Sequence, residues 1–118
     1  MSGTQIELRR IIELLDAEIL SGAEVLDARI AKVVATDLMS SVLAFSEPST
    51  LLLTGLANVQ VVNTANVAGL AGIVFVKGLR PQDAVIEKAR QLSLPTLLTP
   101  HSMYNACGRL YGSGLLGI

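Results

Sequence analysis

The chain opens with apolar residues spaced three and four positions apart, a pattern that places them on one face of a helix. The positions on this face are Leu8, Ile11, Ile12 and Leu15. Thr4 is followed three residues later by Glu7, which is the pattern of a capping box. Together these features predict a helix that begins near residue 5.

Three unbroken apolar runs in the second half of the chain are typical of strands that are buried on both faces. The runs are Leu51–Thr54, Ile73–Val76 and Thr96–Leu98. Each is followed by a helical pattern with its own boundary residues. These boundaries are Asn58 and Gly69, Pro81 (in the first turn) and Pro95, and Ser102 and Gly112. The inward positions are predicted to be Val61, Ala65 and Ala68, then Val85, Ala89 and Leu92, then Met103, Cys107 and Leu110.

The first half of the chain carries shorter signals. Residues 18–20 predict a short strand that closes in a turn at Ser21 and Gly22, whereas residues 23–26 are compatible with more than one element. The run of small and β-branched residues from Ile30 to Ala35 predicts a further strand. Two weak strands therefore precede the three strong ones.

A short helix is expected between the Ile30–Ala35 strand and the first strong run. Asp37 is suited to cap it, and Glu47-Pro48-Ser49 predicts the turn after it. Its inward side is predicted to carry Leu38, Val42 and Phe45.

The alternation of strands and helices predicts an α/β fold. Continuous apolar strands joined by helices form parallel βαβ units, and both faces of such a sheet are covered. We therefore expect a three-layer α/β/α domain over residues 1–118 with a mainly parallel sheet and right-handed crossovers. The pattern leaves the strand order open.

Composition excludes several classes of protein. The chain has 118 residues, 51% of them hydrophobic, with a formal net charge of −1. This apolar content excludes intrinsic disorder, and no apolar run approaches the roughly 18 residues of a membrane-spanning helix. The balanced charge argues against nucleic acid as a partner. No secretory signal opens the sequence, so a cytoplasmic location is expected.

Charged residues make up only 16% of the chain, whereas soluble domains average about 25%. A monomer of this kind would expose contiguous apolar surface, and the common solution is a two-fold homodimer. The last helix and the apolar residues after it are the candidate interface, with packing inside the same chain as an equal alternative. The candidates are Tyr104, Arg109, Tyr111, Leu115 and Leu116.

Polar and glycine residues follow each of the three strong strands. Ligands of open α/β sheets bind beyond the carboxyl ends of the strands, where backbone amides and helix N-termini favour anions. The candidates for a small phosphate or carboxylate site are Thr54, Gly55, Asn58, Lys77, Gly78, Thr99, His101 and Ser102. The nucleotide-binding glycine loops are missing, and the alternative for each position, a turn glycine or a helix cap, is favoured.

No catalytic constellation emerges. His101 and Cys107 are the only histidine and cysteine, which excludes a histidine metal cluster, a thiolate cage and an internal disulfide. Cys107 shares an apolar stripe, so a buried, inert thiol is favoured over a nucleophile. An N-cap role for Asp37 is favoured over a catalytic one, and the charges of the first helix indicate a solvated face. We assign no catalytic residue, metal or cofactor.

Several segments resemble the DRTGG domain family, in particular its stand-alone members found near iron-hydrogenase genes in anaerobic bacteria. They are Thr36–Phe45, Leu51–Leu56, Val59–Val62, Ile73–Gly78 and Cys107–Tyr111. The family is similar to the N-terminal domain of HPr kinase/phosphorylase and also occurs in CBS pyrophosphatases and phosphotransacetylases. The resemblance implies a three-layer α/β fold and a non-catalytic regulatory role, with dimerisation and ligand sensing as suggested activities. The Asp-Arg-Thr-Gly-Gly string itself is absent here.

The leading hypothesis is a non-enzymatic regulatory or interaction module that forms a homodimer and senses a small ligand at the strand ends. The first alternative is a small enzyme, or a binder of nucleotides or anionic metabolites, that uses Thr54, Lys77 and Ser102. The second alternative is an accessory protein of a redox enzyme such as an iron hydrogenase, which would bind a protein partner.

Overall fold

The computed structural model describes residues 3–45 and 47–118, apart from the side chain of Phe45. Six strands of this part of the chain form one sheet in the order β2-β7-β6-β5-β4-β8, and a two-residue ladder joins β1 to β3. The strands are β1 (Ile6–Glu7), β2 (Glu18–Ser21), β3 (Arg29–Ile30), β4 (Lys32–Ala35), β5 (Thr50–Thr54), β6 (Gly72–Phe75), β7 (Thr96–Leu98) and β8 (Leu116–Gly117). The helices are α1 (Leu8–Leu15), α2 (Met39–Phe45), α3 (Val59–Ala68), α4 (Asp83–Gln91) and α5 (Met103–Gly112), with a 3₁₀ turn at Ala23–Val25.

The sheet is parallel except at one edge. Strands β4 to β7 lie side by side in chain order, with Thr54 opposite Phe75 at the end of the β5–β6 pair. Strand β8 returns to pair in parallel with β4, and β2 runs antiparallel to β7. The predicted mainly parallel three-layer α/β/α architecture is confirmed.

Alternate strand residues divide the core into two layers. Leu51 and Leu53 of β5 face α1 and α5, whereas Leu52 between them faces α2, α3 and α4. All three leucines are fully buried. This is why the apolar run is unbroken: a central parallel strand has no solvent-facing side.

Local sequence signals set the boundaries of the later helices. The side chain of Asn58 accepts a hydrogen bond from the Val61 amide and caps α3, and Gly69 ends this helix in a left-handed conformation. Ser102 caps α5 in the same way by accepting from the Asn105 amide. The predicted inward residues of α3 to α5 are buried or half-buried.

Two predictions about the beginning of the chain are wrong. Helix α1 begins at Leu8 rather than near residue 5, because Ile6 and Glu7 pair with β3. Carbonyl groups of the segment before β3 accept from the Leu8 and Arg9 amides, so no capping box forms at Thr4. The strand predicted from Ile30 to Ala35 is divided at Ala31, where the chain leaves β1 and enters the main sheet.

Further corrections concern the boundaries of α2 and α4. Pro81 lies before the N-cap residue Gln82 and not in the first turn of α4. Leu38 is 60% exposed and is not an inward residue, whereas Val42 is buried as predicted. The predicted inward side chain of Phe45 lies outside the described part of the structure.

Asp37 does not act as the predicted cap, because its carboxylate binds the end of β5 and the hydroxyl of Thr36 accepts from the Leu38 amide instead. Within the described residues, no helix has the length and apolar character needed to cross a membrane.

Candidate ligand site at the carboxyl ends of the strands

The carboxyl ends of β4, β5, β6 and β7 meet at one edge of the sheet because these four strands are parallel neighbours. Helix α4, which follows β6, packs on one face of the sheet, and α5, which follows β7, packs on the other. The segments that leave the ends of β6 and β7 therefore diverge to opposite faces of the sheet. Open α/β sheets bind ligands at such divergence points. The predicted site residues do lie along this edge.

The loops after β6 and β7 are tied to each other. The Lys77 amide donates to the carbonyl of His101 and the Gly78 amide donates to the carbonyl of Thr99, both at 2.8 Å. Lys77 and Gly78 both adopt left-handed backbone conformations, with φ of 64° and 65°. This conformation is unusual for a lysine and turns the two amides toward the neighbouring loop. These amides are thus occupied within the chain and not directed at a ligand.

The side chain of Lys77 remains free at this edge. It is exposed and forms no ion pair with any described residue. Its backbone position is fixed by the two interloop hydrogen bonds, so the ammonium group extends from a rigid point beside the divergence of the chain. Lys77 is therefore the member of the predicted set best placed to attract an anion.

The other polar members of the set are engaged in local structure. Thr99 is fully buried and donates to the carbonyl of Leu15. The oxygens of Asn58 and Ser102 cap their helices, which leaves the Asn58 amide group and the Ser102 hydroxyl proton for further partners. Both residues therefore cap helices, which is the role that the sequence favours for them.

A cluster of charges that sequence reasoning missed lies beside His101. Its Nε2 atom is 2.9 Å from Oδ2 of Asp16, and the same oxygen lies 3.5 Å from the Arg109 guanidinium. Arg109 also donates to the carbonyl of Leu14, which ties α5 to the end of α1. Asp16 reaches this edge because β2 runs antiparallel beside β7, a pairing that carries no local sequence signal.

Asp37 occupies the strand-end groups that were expected to bind an anion. Its Oδ1 atom accepts from the Thr54 hydroxyl and from the Gly55 amide, each at 2.8 Å. The Thr54 oxygen also accepts from the Leu56 amide at 3.1 Å, so this buried hydroxyl both donates and accepts within the chain. A carboxylate of the chain itself therefore holds the donors at the end of β5.

The surface of α5 contains most of the predicted interface. Tyr104 and Tyr111 are 86% and 68% exposed, and together with Gly108 they line a shallow, open cleft of about 740 Å³. Leu116 is half exposed, but Leu115 is buried in the core of the same chain and is not available to a partner.

Cys107 lies beside this cleft but has the environment of an unreactive thiol. The residue is half-buried, and its burial raises the pKa of the thiol above the ordinary value. A thiol nucleophile needs the opposite shift, because the thiolate is the reactive form. The interpretation of Cys107 as an inert apolar residue is supported.

A family model and a solved structure match this chain. The model of a family described as the DRTGG domain matches residues 10–112, and no curated protein matches the chain. Among solved structures, the chain is similar to the CBS and DRTGG domains of the regulatory region of Clostridium perfringens pyrophosphatase, crystallised with the activator diadenosine tetraphosphate. The two are 20% identical with a TM-score of 0.76, and the match covers 92% of this chain and 47% of that one. The likeness shows the fold, and this chain spans about half the length of its neighbour.

Proposed function

The chain belongs to the DRTGG domain family, and from this premise we propose that it is a regulatory module without catalytic activity, which binds a small anionic ligand at the strand ends and works as a homodimer. The regulatory role is supported by its fold neighbour, whose DRTGG domain is part of a regulatory region. That neighbour was crystallised with a nucleotide activator, a phosphate-rich anion.

The observation that carries the ligand proposal is the position of Lys77. The residue stands at the divergence of β6 and β7 on a backbone locked to the neighbouring loop, and its ammonium group has no ionic partner among the described residues. Because the backbone is already held, only the side chain of Lys77 has to be ordered when a ligand binds, and this limits the entropic cost of recognition. The Ser102 hydroxyl, at the start of α5 on the same edge, adds a second donor.

Thermal-shift and calorimetric titrations with inorganic phosphate, adenosine monophosphate and diadenosine tetraphosphate test this proposal. We expect at least one of these anions to bind, and Lys77→Ala to weaken its binding by tenfold or more, because a charge-assisted contact contributes about 1.5–3 kcal/mol. Lys32→Ala is the matched control, since Lys32 lies at the amino end of β4, at the opposite edge of the sheet. Absence of binding, or an equal loss in the two variants, would contradict the proposal.

The homodimer proposal is supported by the shape of α5. Tyr104, Gly108 and Gly112 follow one another at intervals of four residues and therefore lie along one face of the helix. Two copies packed antiparallel about a two-fold axis at Gly108 would place Tyr104 of each copy opposite Gly112 of the other. A large side chain would then meet a position without one, and this self-complementarity is what a two-fold interface requires.

The charge on this helix does not oppose such a contact. Arg109, the basic residue of α5, is drawn toward α1 by the Leu14 carbonyl and by Asp16. Asp16 offsets part of the Arg109 charge beside the proposed interface, and tyrosine, the type of the two exposed aromatic residues, is enriched in interfaces.

A further inference from the structure

Asp37 is held rigidly at the carboxyl end of the sheet with one oxygen atom unused. Its Oδ1 atom accepts two hydrogen bonds, from Thr54 and Gly55, and these hold the carboxylate at the end of β5. Its Oδ2 atom has no hydrogen-bond or ionic partner among the described residues, and the residue is exposed. A carboxylate oriented in this way is a preorganised acceptor.

Asp37 and Lys77 lie on adjacent parts of the same edge. Asp37 is bound to the last residues of β5, and Lys77 follows the last residues of β6, the next strand. The Val76 amide donates to the Thr54 carbonyl, so the pairing of these two strands continues up to the residue before Lys77. Neighbouring strands are about 4.8 Å apart. The ends of β5 and β6 are therefore close enough to be bridged by one molecule of the size of a nucleotide.

The two positions require opposite chemistry from that molecule. The Lys77 ammonium attracts an anion, whereas an anion placed against the Asp37 carboxylate would be repelled. The free Oδ2 atom can only accept hydrogen bonds when the carboxylate is ionised, so it selects a ligand group that donates them. A phosphate at one end and hydroxyl groups a few ångströms away satisfy both requirements.

We propose that Asp37 determines the ligand class of this site, by accepting hydrogen bonds from sugar hydroxyl groups of a phosphorylated sugar or nucleotide whose phosphate lies at Lys77. The inference rests on the proposed function, because it requires an anion at Lys77. Asp37 is then a residue that determines specificity. Its carboxylate contacts the ligand in place of the Thr54 and Gly55 donors, because these donors already bind Asp37.

Two probes that differ only in the sugar test the role of Asp37. Adenosine monophosphate carries both ribose hydroxyls, and 2′,3′-dideoxyadenosine monophosphate carries neither. We expect calorimetry to show at least tenfold weaker binding of the dideoxy compound, because hydrogen bonds to an ionised group are lost. In Asp37→Asn the two compounds are expected to bind within about threefold of each other.

The variant is designed to keep the fold. Asparagine retains an oxygen that can accept from Thr54 and Gly55, and it replaces the free acceptor by an amide donor. Asp27→Asn, an exposed position before β3, is the matched control and is expected to keep the selectivity. An unchanged melting temperature of Asp37→Asn would show that altered binding does not reflect unfolding.

The outcomes separate this inference from the proposed function. Binding of both compounds with equal affinity, or selectivity that survives in Asp37→Asn, would overturn the role of Asp37 while leaving the anion site at Lys77 intact. Tighter binding of phosphoethanolamine than of adenosine monophosphate would assign the Asp37 contact to an ammonium group and overturn the sugar assignment. Absence of binding by any of these phosphates would overturn both proposals.

Discussion

At the scale of single residues, the sequence predicts a role well when the partner is nearby in the chain. Asn58 and Ser102 were expected to cap helices, and each accepts from an amide three residues ahead. The cap role predicted for Asp37 is wrong, and the contacts of Asp16 are not predicted, because their partners are 17 or more residues away, on elements whose adjacency has no local signal. The polar residues of the candidate site can therefore be identified from the sequence, but the contacts between them cannot.

Cys107 allows a prediction at this scale. Burial raises the pKa of its thiol, so just above the ordinary thiol pKa the folded chain retains a proton that the unfolded chain has lost. The free energy of unfolding should fall as the pH rises through that range, because the unfolded state then binds fewer protons. The rate of alkylation by iodoacetamide, measured against pH, should reach its midpoint at a higher pH in the folded protein than in urea. A lower midpoint in the folded protein would indicate an activated thiol and contradict this assignment.

At the scale of elements, the strands buried on both faces are the ones that the sequence predicts most accurately. Strands β5, β6 and β7 lie in the centre of the sheet, covered on both faces, so their apolar runs are unbroken and were predicted within one residue. Strands β1 and β3 have two residues each and pair only with one another. Strands this short show no alternating pattern in the sequence. For the same reason the divided strand at Ala31 could not be predicted: the division depends on which strand each half pairs with.

The contrast between core and edge gives a stability prediction. Leu53 is fully buried in β5 and packs against α1 and α5, so Leu53→Ala should lower the free energy of unfolding by about 2–5 kcal/mol. Lys77 is exposed, and Lys77→Ala should cost less than about 0.5 kcal/mol. Urea denaturation of the two variants measures both values. Equal losses would mean that Lys77 has a structural role, and the binding defect expected of this variant would then need another explanation.

At the scale of the whole molecule, exposed apolar and aromatic side chains form more than one set. The exposed tyrosines of α5 and the half-exposed Leu116 and Ile118 belong to the C-terminal elements, and a second set on α2 and α3 includes Val67, which is 77% exposed. The tyrosines favour the C-terminal set as the interface. The sequence indicated that apolar surface would be present, but the stripe on which it lies depends on how α5 is rotated against the core. Ala106 and Leu110 face inward, and this rotation turns Tyr104 and Tyr111 outward.

The proposed α5 interface can be tested by placing a charge at its centre without disturbing the fold. A Cβ atom added at Gly108 meets no heavy atom within 4 Å, so the chain itself can accommodate Gly108→Glu. The substitution should leave the melting temperature of the isolated subunit unchanged or higher, because glycine in a helix costs about 1 kcal/mol relative to alanine. It should nevertheless shift the mass in sedimentation equilibrium from two chains to one, because two carboxylates would face each other across the two-fold axis.

Asn66→Glu provides the matched control for this experiment. Asn66 is exposed on α3, in the helical layer on the other side of the sheet, so the variant adds the same charge away from α5. It is expected to remain dimeric over the micromolar range in which Gly108→Glu is monomeric. A stable dimer requires roughly 800 Å² from each partner, about an eighth of the 6036 Å² surface of this chain, so α5 must be joined by its neighbours at the interface. If the unmodified protein sediments as one chain, or if Gly108→Glu still sediments as two, the contact through α5 is refuted; a dimer that dissociates only in Gly108→Glu locates the two-fold axis on this helix.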